Sequence, residues 1–180
     1  VPKPLIKISN KSMLLNALDD LPMTENKKFI FRNNMQRLHV LLSNLKDLYP
    51  DSHIKILDDK TNGQACTCLL GLNTIDLDKR LIISPCDNGL IYDFNLLSAI
   101  INDNTVDIIV LGCREYPAAI RNPKMYGWIE ENDNIIKKIH VKEIYNDIFK
   151  DPIVTGTFYF KKASIFKEVA NDLSSNNEKV

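Results

Sequence analysis

The stretch Leu81-Ile-Ile-Ser-Pro-Cys-Asp-Asn88 decides the fold, because an apolar run ends there in an acidic residue. A strand buried on both faces is typically a continuous run of Val, Ile and Leu, and open α/β sheets bind ligands just beyond the carboxyl ends of such strands. Asp87 therefore stands where a divalent cation or a phosphate-bearing ligand would be met, and Mg²⁺ prefers oxygen ligands. The structural alternative is that Asp87 only caps the next helix or starts a turn.

Strand and helix patterns alternate on both sides of this stretch. Ser12 suits the N-cap of a short helix that runs through Leu18, and leucines at helical spacing predict a helix that Pro50 stops. The predicted strands cover 29–31, 53–57, 81–84 and 106–111, and the predicted helices cover 38–48, 65–72 and 94–101. Such alternation indicates βαβ units and a mostly parallel sheet.

The pattern changes after Cys113. Residues 126–129 and 135–141 flank an Asn/Asp-rich turn and predict a hairpin. A strand over 154–160 and an amphipathic helix over 164–173 follow, and the polar tail 174–180 is expected to fray. We therefore expect one α/β domain over 1–180, mostly parallel, with a small antiparallel insertion.

Composition excludes several classes of protein. Lys+Arg and Asp+Glu are equal at 23 each among 180 residues, so no net field attracts nucleic acid or an anionic membrane. No apolar run approaches the roughly 20 residues that span a bilayer, and the N-terminus lacks a signal-peptide core. Since the chain has no starting Met, we expect a piece of something longer.

The cysteines have neither C-x-x-C nor zinc-ligand spacing, which predicts reduced thiols and a cytoplasmic protein; they are Cys66, Cys68, Cys86 and Cys113.

Two further segments near the N-terminal half could contact a nucleotide. In Pro2-Lys-Pro-Leu5 the prolines hold Lys3 in an extended segment, where it can act as a point charge against phosphate; the alternative is a solvated surface lysine. In Thr61-Asn-Gly-Gln-Ala65 a loop enters a helix, Gly63 permits close approach to the backbone, and the first helical turn attracts anions. The alternative is an ordinary glycine loop.

The remaining candidates each favour a structural role when taken alone. They are Tyr126-Gly127 at a strand start, Glu143 after the hairpin, and Val154-Thr-Gly156 at the next strand. No histidine forms a nucleophilic arrangement. The pairs Asp19-Asp20 and Asp58-Asp59 are interpreted as solvated turns, although Asp58 adjoins the Gly63 loop and could contact a base. Trp128 is expected in the core.

Taken in order, these segments resemble the sugar-phosphate nucleotidyltransferases, or NDP-sugar pyrophosphorylases. The match rests on Pro2-Lys-Pro-Leu5 for the family's P-K-P-L, Asn62-Gly-Gln-Ala65 for its G-x-A loop, and Ser84-Pro-Cys-Asp-Asn88 for its G-D-N strand end. Tyr126-Gly127 and Val154-Thr-Gly156 are similar to its sugar-side Y-G and V-T-G. The resemblance implies a Rossmann-like three-layer α/β/α fold of the GT-A-like nucleotide-diphospho-sugar transferase type.

The resemblance also implies the chemistry: an NTP and a sugar 1-phosphate give an NDP-sugar and pyrophosphate. Lys3 and Asp87 would be catalytic, with Asp87 holding the Mg²⁺ cofactor. Nucleotide contacts would come from Asp58, Gly63, Gln64 and Asn88, and sugar contacts from Tyr126, Gly127, Glu143, Thr155 and Gly156. The sugar and the base stay open, and a homo-oligomer is one expectation for the assembly.

The sequence departs from the family pattern in several places. The glycine-rich loop and its Arg are missing before Val1, and a second metal-binding Asp would lie past Val180. Cys86 replaces the usual Gly, and the sugar-contacting E-K-P survives only as Glu143-Ile-Tyr145. Two alternatives therefore stay open. One is a GT-A glycosyltransferase, although D-x-D is lacking; the other is a non-catalytic nucleotide- or sugar-phosphate-binding domain.

Overall fold

The computed structural model describes residues 1–177 as a mixed α/β fold. Its strands are β1 (Lys7–Ile8), β2 (Lys11–Ser12), β3 (Lys28–Arg32), β4 (His53–Leu57), β5 (Leu81–Ile83), β6 (Ile108–Cys113), β7 (Gly127–Asn132), β8 (Ile135–Val141) and β9 (Ile153–Phe160). Its α-helices are α1 (Met13–Asp19), α2 (Leu38–Leu48), α3 (Gln64–Gly71), α4 (Phe94–Ile101), α5 (Pro117–Arg121) and α6 (Ala163–Asn177). Short 3₁₀ turns cover Lys3–Leu5, Leu72–Thr74 and Pro123–Met125.

The chain divides into two compact units, which are described one at a time. Unit 1 comprises Val1–Leu81, Pro85–Asp107 and the chain from Phe160 onward, and unit 2 comprises Ile82–Ser84 and Ile108–Tyr159. The expectation of a single nucleotidyltransferase domain over 1–180 stays a prediction. Within residues 1–177, no helix is long and apolar enough to cross a membrane.

The core of unit 1 forms between a parallel strand pair and helix α2. Strand β3 pairs with β4 in parallel, and its alternate residues Phe29 and Phe31 are buried. The leucine stripe of α2 supplies Leu41 and Leu45, which are 2% and 1% exposed, to the same cluster. Burying side chains of this size contributes roughly 1.5–3 kcal/mol each, so this cluster fixes β3, β4 and α2 against one another.

The N-terminal segment packs against the same core. Ser12 caps α1 as predicted, since its Oγ accepts a hydrogen bond from the Leu15 N–H at 3.4 Å. The predicted extended segment at Lys3 is wrong, because Lys3–Leu5 is a 3₁₀ turn with buried Pro4 inside it. Proline is tolerated in the first turn of a helix, where its fixed φ suits the fold and its missing N–H has no partner to lose.

Unit 2 is built around a five-stranded sheet. Strands β5, β9, β7 and β8 are neighbours in that order, and β6 also pairs with β9. The predicted hairpin is present as β7 and β8, paired antiparallel with a bulge after Glu130. Its turn uses Asp133 and Asn134, both at positive φ, a conformation that Asn and Asp tolerate better than other side chains. Trp128 lies in the core at 0% exposure, as expected.

The predicted central sheet is not evident in the described residues, where the sheets are small and mostly antiparallel. The parallel pairing of β3 and β4 forms a separate two-stranded sheet. The two apolar runs are also less buried than predicted, since β5 buries only Ile83 and Ile108 of β6 is exposed. Nor does an apolar run show which neighbour a strand pairs with or in which direction. Several bounds also differ by a residue or more. The larger differences include β6, which lies two residues later than predicted, and α6, which continues to Asn177. Of the predicted frayed tail, residues 178–180 lie outside the described residues.

Candidate functional site

The two residues predicted to be catalytic are in contact within unit 1. Lys3 Nζ donates a hydrogen bond to Asp87 Oδ2 at 2.9 Å, across 84 positions of sequence. Lys3 projects from the 3₁₀ turn that buried Pro4 anchors, and Asp87 follows the Ser-Pro-Cys segment after β5. The Lys3 side chain is 72% exposed and that of Asp87 is 29% exposed. A cation and a carboxylate therefore meet at the surface, where a charged ligand can reach both.

The pair also sets the charge state of its neighbours. The hydrogen bond and the charge of Asp87 raise the pKa of Lys3 above its usual 10.5, so the ammonium persists at neutral pH. Cys86 packs against the apolar core of unit 1, and burial, followed by the Asp87 charge, raises the pKa of its thiol. A protonated thiol is a poor nucleophile, so Cys86 is not a candidate nucleophile at neutral pH.

One residue of this site was misread from sequence. Asp20 was interpreted as part of a solvated turn, but it ends α1 and its Oδ2 accepts the Leu90 N–H at 3.1 Å. Asp19 is the surface residue of the pair, since it bonds Lys11 Nζ at 2.5 Å. A carboxylate at a helix C-terminus is electrostatically disfavoured, but Asp19 and Asp20 both lie at that helix end, so the sequence carried no signal that distinguishes Asp20.

The glycine loop predicted to meet the nucleotide lies between β4 and α3, also in unit 1. Gly63 has φ +112°, and no atom lies within 4 Å of the position that a β-carbon would occupy there. Its carbonyl accepts hydrogen bonds from the Thr67 N–H at 3.1 Å and the Thr67 hydroxyl at 3.0 Å. The two hydrogen bonds from Thr67 fix the loop backbone at Gly63, and the space that a side chain at Gly63 would fill is open. Gln64 begins α3 and is half-buried.

The other predicted nucleotide contacts lie in turns of unit 1. Asp58 is exposed, directly after β4, and its Oδ1 accepts a hydrogen bond from Asn33 Nδ2 at 3.1 Å. This bond joins the residues that follow the two parallel strands, because Asn33 comes directly after β3. Asn88 lies half-buried beside Asp87.

The residues predicted to face the sugar all lie in unit 2. Tyr126 precedes β7 and its ring meets Tyr116 edge-on at 5.9 Å between centroids. Gly127 begins β7 opposite Val141, and Glu143 is exposed two residues after β8 ends. The sheet therefore places Tyr126 and Glu143 near one end of the hairpin.

Thr155 and Gly156 belong to β9, where the backbone is irregular. The Thr155 hydroxyl donates to the Leu111 carbonyl of β6 at 2.8 Å, and Gly156 has φ +89°. Thr157 is 1% exposed, and its Oγ1 lies 3.0 Å from Ser84 Oγ. These bonds give Thr155 a structural role within the sheet, whatever else it contacts.

The donor chemistry of Asp87 is compatible with Mg²⁺. Among residues 1–177, no group of three or more His, Cys, Asp or Glu side chains could hold a metal. Mg²⁺ often uses one or two protein carboxylates and completes its shell with water and substrate phosphates. A partly exposed Asp87 suits a metal that arrives with a phosphorylated ligand better than a permanently bound ion.

Comparison with known proteins identifies similar folds among solved structures. No family model and no curated protein matches the sequence. Among solved structures, a Bacillus anthracis protein assigned as a glucose-1-phosphate thymidylyltransferase, in complex with sucrose, matches 93% of this chain with TM-score 0.69 and 16% identity. HddC from Yersinia pseudotuberculosis matches 93% with TM-score 0.63 and 15% identity, and its complex with GMP-PN matches 93% with TM-score 0.60 and 15% identity.

These matches define the class of fold. The chain spans 65% of the length of the Bacillus anthracis protein and 70% of each HddC structure. The fold is therefore that of nucleotidyltransferase structures, which agrees with the resemblance drawn from the sequence motifs. The particular reaction and its substrates are not shown by a likeness at 15–16% identity.

Proposed function

We propose that this chain supplies the nucleotide- and sugar-phosphate-binding residues of a nucleotidyltransferase that joins an NTP to a sugar 1-phosphate. The observation that carries the proposal is the 2.9 Å contact between Lys3 and Asp87, in a chain whose fold matches a protein assigned as a glucose-1-phosphate thymidylyltransferase. The finer description of the fold as a three-layer GT-A-like domain, and a cytoplasmic location, are part of the same proposal.

The reaction requires charge neutralisation more than covalent catalysis. A phosphate oxygen of the sugar 1-phosphate attacks the α-phosphorus of the NTP, forming a new P–O bond. The bond from the α-phosphorus to the bridging oxygen breaks, and its electron pair leaves with pyrophosphate. Positioning and electrostatic stabilisation dominate transfers of this kind, so the protein's main task is to hold the three phosphates of the NTP and the phosphate of the sugar close together.

Lys3 is placed to neutralise the negative charge of the phosphates. Its ammonium is charged at neutral pH, as that of any solvated lysine is, and Asp87 raises its pKa further. Its side chain is mostly exposed. A phosphate that approaches Asp87 would therefore meet Lys3 first. The ammonium can exchange its bond to the carboxylate for one to phosphate, since a lysine offers three donors.

Asp87 would hold the metal. Mg²⁺ held by the Asp87 carboxylate would supply charge neutralisation to the phosphates, a contribution worth several kcal/mol. Asp87 orients that site, and Lys3 keeps the carboxylate turned toward the ligand. Asn88 continues the same turn and is proposed to contact the nucleotide.

The base and the sugar would be met by different segments. The open backbone at Gly63, with Gln64 and Asp58 beside it, is proposed to seat the base; GMP-PN in one HddC structure makes guanine nucleotides part of the test. The sugar is proposed to contact unit 2 through the Tyr126-Gly127 strand start, the exposed Glu143, Thr155 and Gly156. A homo-oligomer remains part of the proposal.

A pyrophosphate-release assay tests the function. The full-length protein is incubated with Mg²⁺, each of the common NTPs and a panel of sugar 1-phosphates, and compared with Asp87→Asn. The matched control is Asp78→Asn, because Asp78 forms a 3.0 Å surface ion pair with Lys162 across the same 84 positions of sequence. We expect Asp87→Asn to lower the rate about a hundredfold or more, and Asp78→Asn to leave it unchanged.

Other outcomes would replace the proposal. Transfer of a sugar from an NDP-sugar to an acceptor, without pyrophosphate, would favour a glycosyltransferase. Binding of nucleotides that raises thermal stability, with no turnover in any combination, would favour a non-catalytic binding domain. Turnover that Asp87→Asn does not affect would remove Asp87 from the mechanism.

A further inference from the structure

Asp20 makes a contact that its place in the helix does not explain. It ends α1, where the helix dipole disfavours negative charge, and it is half-buried. Its Oδ2 accepts the Leu90 N–H at 3.1 Å, across 70 positions of sequence. The chain bends at Asp87, and Leu90 ends the short loop 87–90 that follows this bend. The Asp20 carboxylate is therefore bonded to the far end of the loop that carries the proposed metal ligand.

The turn is shaped to admit this carboxylate. A β-carbon on Gly89 would lie 2.6 Å from Asp20 Oδ2, which is closer than atoms of this kind approach. Gly89 therefore leaves room for Asp20, and the two residues fit one another. Asp20 acts electrostatically on the following residues as well, since its charge adds to burial in raising the pKa of Tyr92.

We propose that Asp20 is a positioning residue, which fixes the turn 87–90 so that Asp87 stays opposite Lys3. The inference rests on the proposed function only for the role of Asp87 in catalysis; the tethering of the turn stands on its own geometry. Charged acceptors form stronger hydrogen bonds than neutral ones. One bond from a rigid helix end can therefore hold a short turn that contains a glycine.

The test uses three substitutions at Asp19 and Asp20, together with Gly89→Ala, in the full-length protein. Asp20→Ala removes the acceptor, Asp20→Asn keeps an oxygen that can accept the Leu90 N–H, and Asp19→Ala removes the neighbouring charge, which bonds Lys11 instead. Hydrogen exchange of the Leu90 amide is followed by NMR, and kcat and KM are measured for Mg²⁺-dependent pyrophosphate release. Thermal unfolding confirms that each variant is folded.

We expect Asp20→Ala to speed exchange of the Leu90 amide roughly tenfold, the size of one hydrogen bond to a charged group. It should lower kcat more than it changes KM for the nucleotide, because the misplaced group is needed in the transition state. Asp20→Asn should recover most of both losses, and Asp19→Ala should resemble the wild type. Gly89→Ala should displace the carboxylate and mimic Asp20→Ala, and the double variant should be no worse than either single one.

Each contrary outcome has a separate meaning. Leu90 exchange that is the same in Asp20→Ala and Asp19→Ala would overturn the tether. Faster exchange with unchanged kcat would overturn the positioning role. A wild-type protein without pyrophosphate release would refute the proposed reaction, while the exchange measurements would still decide whether Asp20 holds the turn.

Discussion

Replacing Lys3 by Met and Asp87 by Asn, singly and together, separates what their ion pair does for stability from what it does for activity. The atoms are 2.9 Å apart, and the two side chains are 72% and 29% exposed. At that distance the attraction in water is about 1.4 kcal/mol, and exposed pairs are measured at about 0.2–1 kcal/mol. The expected loss of unfolding free energy is therefore below about 1 kcal/mol. For a chain of this length that moves Tm by about 2–4 °C.

The expected loss of activity is much larger. Removing a group that faces developing charge in a preorganised site typically costs about a hundredfold to a thousandfold in kcat. Single and double variants should also be strongly non-additive, because both residues act on the same phosphates. Urea unfolding at pH 7.5 measures the free energy of unfolding of each variant, and pyrophosphate release measures its kcat.

The pH and the salt concentration provide two controls for this comparison of single and double variants. The pKa of Lys3 is raised from 10.5 by Asp87, so the stability of the pair is present below that pH and is lost as pH rises through the higher folded-state pKa. Salt at 0.5 M should weaken the stability term, as it does for exposed charges. A fall in Tm of more than about 10 °C with activity kept within tenfold of wild type would refute the reasoning, because the pair would then be structural.

Three further predictions concern other positions. Burial raises the pKa of Cys68 to about 11, so alkylation at pH 8 should be slow in the native protein and rapid in guanidinium chloride, as mass spectrometry can measure. Gly63→Ala should lower the free energy of unfolding in urea by about 1–2 kcal/mol, from backbone strain at φ +112° alone, since nothing lies within 4 Å of the added methyl. The Asn134 N–H, then Arg114, lowers the pKa of Glu131 below 4.5. Its stabilising contribution should be present above pH 4.5 and vanish as pH falls through the folded-state pKa, so Glu131→Gln and wild type should converge in acid unfolding curves.

The elements were largely predictable because their patterns are local. The leucine stripe of α2 follows from the helical side-chain period of 3.6 residues, and the short apolar run Phe29-Ile-Phe31 predicts β3. Both contribute to one core cluster. The hairpin of β7 and β8 was equally clear, since Asp133 and Asn134 suit a turn at positive φ. Ser12 was predictable as an N-cap because it directly precedes the apolar helix α1.

Strand direction and long-range contacts were not predictable in the same way. The apolar run at β5 predicts a strand, but its neighbour β9 lies about seventy positions later along the chain. The order of the motifs predicts that Lys3 and Asp87 share one site, and the two side chains are in contact at 2.9 Å. Asp20 was missed, since an acidic residue that ends a helix has the same local pattern whether it meets water or the Leu90 N–H.

Trp128 is the sole tryptophan of the chain, is fully buried, and donates its indole N–H to the Pro123 carbonyl at 2.9 Å. It lies in unit 2, so intrinsic fluorescence excited at the indole reports the melting of that unit and is blind to unit 1. Far-ultraviolet circular dichroism follows both units, because each contains helix and strand. Comparing the two signals in one denaturation series would therefore reveal whether the units unfold together or in sequence, with no label added.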